Sequence, residues 1–307
     1  MKCFLAKPRG FCAGVERAIL MVEKSVEKFK GPVYVRHEIV HNKFVVDKLR
    51  KIGVIFVEEL SEVPMGAVVV FSAHGVSKGI YKEAKRMRLK VIDATCPIVK
   101  SVHKSVVKYA NSDCFIILIG HKGHAEIDGT IGQLEPGKIH VINSIEDVKK
   151  LPPSKKEIAY LTQTTLSVEE TADIIFSLKE KYPHIQGTKI GNMCYATTNR
   201  QNAIRSICEK IELLVVVGSK NSSNSNRLYE LGKKRGVSSV LVDSVEDLNE
   251  DMFRGLTSVG ISSGASAPEH LVLEIVEWLK NHFELGEIIE EQTVEETTKF
   301  PLPPELA

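Results

Sequence analysis

Leu213-Leu214-Val215-Val216-Val217-Gly218-Ser219-Lys220-Asn221-Ser222-Ser223-Asn224 is the stretch on which the fold turns. A short branched-apolar run, then a polar loop rich in Gly and Ser, then a helical pattern reaching Arg235 is the order of a parallel α/β unit. Val240-Val242 and Val245-Glu246-Asp247-Leu248 follow it. The same order stands near the start of the chain. There Val33-Arg36 leads to His37-Glu38-Ile39-Val40-His41-Asn42, a helix over Lys43-Lys51, and Val57-Glu58-Glu59-Leu60. A looser middle copy runs from Phe115-Ile119 through Gly120-His121-Lys122-Gly123-His124-Ala125-Glu126 to Val141-Ile142 and Ile145-Glu146-Asp147-Val148, with a shorter helix. Self-similarity of this kind predicts three repeated lobes.

Each copy has a second half, in which a strand such as Val68-Phe71 meets another polar loop: Ser72-Ala73-His74-Gly75-Val76-Ser77, Thr162-Gln163-Thr164-Thr165-Leu166-Ser167, and Ser262-Ser263-Gly264-Ala265-Ser266. In copies one and two the next strand runs into a cysteine, as Val91-Ile92-Asp93-Ala94-Thr95-Cys96 and Ile190-Gly191-Asn192-Met193-Cys194. Copy three lacks that strand. Lys2-Cys3-Phe4-Leu5-Ala6, leading through Pro8-Arg9-Gly10-Phe11 to Cys12, supplies it from the other end of the chain. The expected fold is α/β, with three similar lobes in a pseudo-threefold, trefoil arrangement around a central iron-sulfur cluster. The expected lobes are 14–96, 97–193 and 194–281, the last completed by 1–13. The stretch 282–307, with six glutamates and no Lys or Arg between Glu284 and Glu296 and prolines beyond, reads as a loosely held tail.

Composition narrows the class. The 307 residues are 43% apolar, enough for substantial cores, and carry 41 basic against 39 acidic side chains. That balance gives no broad basic field for nucleic acid, and no segment approaches a membrane span or a cleaved leader, so a cytoplasmic protein is expected. The six cysteines stand far apart, as core residues, metal ligands or catalysts rather than disulfides in a reducing compartment.

A lone cysteine is more often a small buried residue than a ligand. Cys3, Cys114 and Cys208 have no counterparts in the other copies and are read that way. Cys12, Cys96 and Cys194 occupy equivalent positions, each at a strand end and opening a helix, where the dipole favours a thiolate and a soft metal. Three thiolates with one open position suit an iron-sulfur cluster, or zinc completed by histidine or water; the close C-x-x-C pairs usual for zinc are absent. Ligands in α/β units gather at the carboxyl ends of strands, and the loops there hold His41, His74, His124, Ser222, Ser223, Asn224 and Ser266. As a set these donors suit a phosphate or diphosphate, although any one serine or asparagine alone reads as a helix cap. Glu126, two residues past His124, suits proton delivery, with Thr164 able to place a hydroxyl beside it; on spacing alone a solvated helix start explains Glu126 as well. No P-loop and no G-x-G-x-x-G is present.

With those residues in hand, the sequence resembles the LytB/IspH family of 4-hydroxy-3-methylbut-2-enyl diphosphate reductases, from Lys2 to about Lys280. The likeness rests on Arg9-Gly10-Phe11-Cys12-Ala13-Gly14-Val15, Ser72-Ala73-His74-Gly75, Asp93-Ala94-Thr95-Cys96-Pro97, Gly123-His124-Ala125-Glu126, Cys194-Tyr195-Ala196-Thr197-Thr198-Asn199-Arg200, Ser222-Ser223-Asn224-Ser225-Asn226-Arg227 and Gly264-Ala265-Ser266-Ala267-Pro268-Glu269. It implies one [4Fe-4S] cluster on Cys12, Cys96 and Cys194, with an open fourth iron that takes the substrate's hydroxyl oxygen. It implies that His41, His74, His124, Ser222, Ser223, Asn224 and Ser266 hold the diphosphate, and that Thr164 and Glu126 sit beside the hydroxyl, Glu126 as proton donor. The implied reaction is a two-electron reductive dehydroxylation of the allylic diphosphate to isopentenyl and dimethylallyl diphosphate, the last step of the methylerythritol phosphate route. The implied electron donor is external, a ferredoxin or flavodoxin. Two other readings compete: a redox-neutral iron-sulfur hydratase or dehydratase acting on a small phosphorylated substrate, which needs no donor, and a non-catalytic iron-sulfur sensor, which has no use for so many phosphate donors.

Overall fold

The computed structural model describes residues 1–187 and 193–306. In chain order, β1 (Lys2–Lys7) and α1 (Ala13–Lys28) precede a first lobe of β2 (Val33–Arg36), α2 (Lys43–Lys51), β3 (Val54–Val57), β4 (Val68–Phe71), α3 (Lys78–Arg86) and β5 (Lys90–Asp93). The second lobe follows α4 (Pro97–Asn111) with β6 (Phe115–Ile119), α5 (Ala125–Ile131), β7 (Ile139–Ile142), α6 (Ile145–Lys150), β8 (Ile158–Thr162), α7 (Val168–Lys181) and β9 (Gln186–Gly187). The third comprises α8 (Tyr195–Cys208), β10 (Leu213–Val217), α9 (Ser223–Lys234), β11 (Ser238–Val242), β12 (Ser258–Ser263), α10 (Glu269–His282) and β13 (Ile288–Gln292). The chain divides into two compact units. One is Met1–Glu16, His41–Lys48 and Tyr195–Lys299; the other is Arg17–Val40, Leu49–Cys194 and Phe300–Ala307.

Three parallel sheets repeat one strand order, β3-β2-β4-β5, β7-β6-β8-β9 and β11-β10-β12-β1, with β13 added beyond β1. The α/β architecture with three similar sheets is therefore as expected. The N-terminal strand β1 takes in the third sheet the place that β5 and β9 hold in the other two, pairing Lys2–Leu5 with Ser258–Ile261. The helix expected over Lys43-Lys51 is α2, and the short helix of the middle copy is α5, 7 residues against 12 in α9. The strand expected through Ile190-Gly191-Asn192 lies outside the described residues.

The continuous apolar run of β10 is explained by burial on both faces. Leu213, Val215 and Val217 pack with Val259, Ile261 and the inner face of α10, while Leu214 and Val216 pack with Ile204 and Ile207 of α8 and Leu228 of α9. In the second lobe Ile117 and Ile119 meet Ile174 and Leu178 of α7, and Ile116 and Leu118 meet Val106 of α4 on the opposite face.

The C-terminal stretch departs from the loosely held tail expected of it. Ile288–Gln292 adds a parallel strand to β1, and Glu296 reaches Arg200, whose side chain is fully buried, at 3.0 and 3.2 Å. Glu290 holds Arg9 at 2.7 Å and Glu291 holds Lys210 at 2.8 Å. Beyond them Pro301 and Glu305 accept hydrogen bonds from Arg17 and Lys28, and Leu306 is buried. Three of the six glutamates that read as a solvated tail, Glu290, Glu291 and Glu296, are matched to basic side chains distant in sequence, so charge composition alone misplaced them.

Within the larger unit, α5 lies against the loop after β4 at a glycine contact. A Cβ on Gly132 would stand 2.1 Å from the Ser77 Cβ, and one on Gly129 would stand 3.0 Å from the Gly75 carbonyl oxygen. Gly75 itself adopts φ +81°, a left-handed turn that glycine takes at no steric cost. Lys78 N–H donates to the Gly132 carbonyl and Gln133 Nε2 to the Val76 carbonyl. This join fixes the two loops that carry His74 and His124.

Candidate active site

The repeat places the candidate residues by a common rule. His41, His124 and Ser222 each stand five residues beyond the end of the equivalent strands β2, β6 and β10. Two residues beyond β4, β8 and β12 stand Ala73, Thr164 and Ala265. The carbonyls of these three accept the backbone N–H groups of Cys96, Cys194 and Cys12, at 3.0, 3.0 and 3.1 Å. One hydrogen bond thus recurs in all three lobes and ties each cysteine to the second polar loop of its own sheet.

In the larger unit, Cys96 is the N-cap residue of α4, with Pro97 at the first helical position and no cap bond from its thiol. Pro is pre-set for that position, so the turn is built locally and the sulfur is not spent on capping. The Thr164 that receives the Cys194 N–H also donates from its own N–H to Glu126 Oε1 at 2.7 Å and from its hydroxyl to Oε2 at 2.8 Å. Glu126 lies in the first turn of α5, yet its side chain is buried, with 2% of the residue exposed. A solvated helix start is excluded. Burial pushes its carboxyl up to about 7, against the downward pull of the two Thr164 hydrogen bonds. A carboxylic acid with that value exchanges a proton near neutral pH, as a donor should.

His124 caps α5 with Nδ1, which accepts the Glu126 N–H at 3.2 Å. In the neutral ring the proton then sits on Nε2, so the edge turned from the helix is a donor. His74 Nδ1 lies 3.3 Å from Ser72 Oγ, and the His74 and His124 rings meet edge to face with centroids 6.0 Å apart. Cys96, Cys194, His74, His124, Glu126 and Thr164 are therefore linked within one unit by loops at the carboxyl ends of β4, β6 and β8.

The smaller unit gathers the remainder around Ala265. Its carbonyl takes the Cys12 N–H and its own N–H donates to Asn224 Oδ1 at 2.8 Å. The next residue, Ser266, donates from its hydroxyl to the His41 carbonyl at 3.0 Å. Ser222 caps α9 by accepting the Ser225 N–H, so the helix-cap reading holds for it geometrically, and Ser223 is the first residue of that helix. Asn224 Nδ2 is buried with no hydrogen-bond partner among the described residues. A buried amide donor left unpaired costs free energy that an anionic oxygen would recover.

The other cysteines fit the bland reading. Burial pushes the Cys3 thiol up to about 12 and raises that of Cys208, while Cys114 is raised by burial and by Glu157 and Asp113. None of the six is disulfide-bonded. Among the described residues no group of three or more His, Cys, Asp or Glu is placed to hold a single metal ion. The donor set itself, three thiols in repeated positions at helix starts, fits an iron-sulfur cluster.

Arg200 was not singled out by sequence reasoning. Fully buried in α8, it donates to the Gly10 carbonyl at 2.7 Å and to Glu296, while Arg9 next to Gly10 binds Glu269 and Glu290. These contacts brace the turn that carries Cys12. In the sequence it stands only as the last residue of the Cys194-to-Arg200 stretch on which the family likeness rests, with no role of its own.

A family model described as LytB protein matches residues 3–280. A curated reductase named for 4-hydroxy-3-methylbut-2-enyl diphosphate, from Haemophilus influenzae strain PittEE, is 53% identical across 100% of this chain and 98% of its own length. One of the same name from Neisseria gonorrhoeae strain FA 1090 is 50% identical over 98% of this chain and 94% of its own. Among solved structures, the E-1-hydroxy-2-methyl-but-2-enyl-4-diphosphate reductase of Plasmodium falciparum superposes with a TM-score of 0.95 at 42% identity, over 99% of this chain and 96% of that one. A second, described as the terminal enzyme of the non-mevalonate pathway, gives 0.65 at 31% identity, over 92% of this chain and all of that one.

Proposed function

The chain belongs to the LytB protein family, an iron-sulfur enzyme family, and on that premise we propose that it reduces 4-hydroxy-3-methylbut-2-enyl diphosphate to isopentenyl and dimethylallyl diphosphate. Two electrons and two protons enter for each water lost. The observation that carries this reading is the hydrogen bond repeated in three lobes, which presents Cys12, Cys96 and Cys194 in one local geometry each time. In this reading those three thiolates hold one [4Fe-4S] cluster. When bound, the cluster supplies the electrons and, at the iron without a cysteine, a Lewis acid for the departing hydroxyl.

The chain's own residues bind, orient and protonate. The Nε2 donor of His124, the rings of His74 and His41, the hydroxyls of Ser222 and Ser223, the hydroxyl of Ser266 once turned from the His41 carbonyl, and the Asn224 amide are neutral-to-cationic donors for the two phosphates. The unpaired Asn224 Nδ2 supports this assignment, because a phosphate oxygen would satisfy it. Glu126, protonated up to about pH 7 by its burial, holds the proton, and Thr164 orients its carboxyl through two hydrogen bonds. The electron donor is an external carrier. Among the described residues no helix is long and apolar enough to cross a membrane.

Anaerobic purification with absorption and Mössbauer spectra, followed by turnover of the allylic diphosphate with dithionite-reduced methyl viologen, tests this. A four-iron spectrum with one iron that shifts on adding substrate, and formation of both products, is expected. A colourless zinc protein, or an iron-sulfur protein that hydrates or dehydrates without a reductant, would refute it.

A further inference from the structure

Charge is unevenly spread along the chain. From Lys78 to Lys108 there are nine basic residues and two acidic ones, an excess of seven in a chain whose total is +2, so the remainder is net acidic. Six of the nine basic residues fall in two stripes. On α3, Lys78, Lys82 and Lys85 recur at helical spacing and are exposed. On α4, Lys100, Lys104 and Lys108 recur every fourth residue, continuing the row that begins at Cys96. Residues at that spacing share one helix face.

Of the six lysines in the stripes the two acids neutralise only Lys100. Glu83 pairs with Arg86 of its own helix, and Asp93 is held by Lys100 at 2.6 Å. Lys78, Lys82, Lys85, Lys104 and Lys108 have no carboxylate within ion-pair distance among the described residues. Asp93 also joins the two helices. It accepts the Tyr81 hydroxyl of α3 at 2.8 Å and the Thr95 N–H at 3.0 Å, so the half-exposed Tyr81 ring stands where the stripes meet. From that point the chain needs three residues to reach Cys96, whose carbonyl accepts the Lys100 N–H.

A solvated charged face is normally mixed in sign. A face with five lysines that have no carboxylate at ion-pair distance, set around a tyrosine and close in the chain to Cys96, which the proposed function makes a cluster ligand, has the features of a protein interface: an aromatic anchor and a cationic rim. Resting on the function proposed above, we propose that this face of α3 and the first half of α4 is the docking surface for a small acidic electron-carrier protein. Two successive encounters, each oxidising a carrier by one electron, supply one turnover, and two protons balance the charge. The lysines steer the carrier, and the short path from Tyr81 through Asp93 to Cys96 brings it near the cluster ligand.

The test uses the reconstituted holoenzyme and a reduced acidic flavodoxin. In the triple variant Lys82→Glu, Lys85→Glu, Lys104→Glu, the KM for flavodoxin should rise roughly tenfold or more at low ionic strength, since steering fields alter association by about 10 to 1,000-fold. The difference from the parent should shrink as salt shortens the screening length to ~8 Å at physiological strength. Turnover with dithionite-reduced methyl viologen, which needs no docking, should be unchanged, as should the KM for the allylic diphosphate. A control reversing the exposed Lys149, Lys155 and Lys179 should leave the flavodoxin KM near the parent's. An unchanged flavodoxin KM in the triple variant, an equal rise in the control, or a parallel loss with methyl viologen would each overturn the proposal. So would a triple variant that loses affinity for a random oligonucleotide while keeping its flavodoxin KM, which marks a polyanion surface. If the parent itself does not reduce the allylic diphosphate with methyl viologen, the function on which the proposal rests has failed instead.

Discussion

Replacing Glu126 by glutamine separates the proton on this side chain from its shape. Gln cannot ionise, but its carbonyl can still accept the Thr164 N–H and its amide can face the Thr164 hydroxyl, so the site keeps its volume and most of its hydrogen bonds. In the parent, burial raises the carboxyl from the ordinary 4.5 to about 7. Between those values the native protein keeps a proton that the unfolded chain has lost, so stability falls as pH rises. The stabilising contribution is fully present below about pH 4.5 and is lost once pH has passed about 7, a change of roughly 3 kcal/mol at 1.36 kcal/mol per pH unit. Urea unfolding of the apo protein at pH 5 and pH 8 reads it. Glu126→Gln should lie within about 1 kcal/mol of the parent at pH 5 and be the more stable of the two at pH 8 by up to roughly 3 kcal/mol, every other titrating group cancelling in the difference. In the holoenzyme the variant should lose about 100 to 10,000-fold in turnover, the usual contribution of a positioned proton donor. Iron content and diphosphate affinity should be retained. Parent turnover should fall as pH rises through about 7, while the residual turnover of the variant lacks that limb. A stability difference that does not change with pH, or turnover within tenfold of the parent, would refute the assignment.

Two further outcomes follow from the packing. Glu296→Ala leaves the fully buried Arg200 guanidinium without its carboxylate and should destabilise the apo protein by about 3 to 5 kcal/mol in urea unfolding; a loss under 1 kcal/mol would mean that the C-terminal segment contributes little. Gly132→Ala drives a methyl into Ser77 and should cost roughly 1 to 3 kcal/mol. Because this contact sets the spacing of the His74 and His124 loops, the KM for the diphosphate should rise with it, and an unchanged KM at reduced stability would detach the contact from substrate binding.

Much of the architecture was legible locally. Apolar runs such as Leu213-Val217 announce strands buried on both faces, and the recurrence of run, polar loop and helix marks three lobes, because burial periodicity is a property of neighbouring residues. The same matching assigned β1 to the third sheet and set Cys12 level with Cys96 and Cys194, while leaving Cys3, Cys114 and Cys208 without a role. The loops holding the candidate donors were legible for the same reason. They follow strand ends at a fixed interval.

What the sequence determined by itself is therefore the fold class, the repeat and the positions from which chemistry can be presented. The tertiary structure decided the rest, because each remaining feature depends on which distant residue fills the adjoining space. The glutamate-rich end reads as solvated until Glu296 is seen against a buried Arg200 lying 96 positions earlier. Glu126 reads equally as a solvated helix start or a proton donor, and only its enclosure with Thr164, 38 residues on, removes the water that would hold its carboxyl near 4.5. Desolvation belongs to a volume rather than to a stretch of chain. Local sequence carries no measure of it.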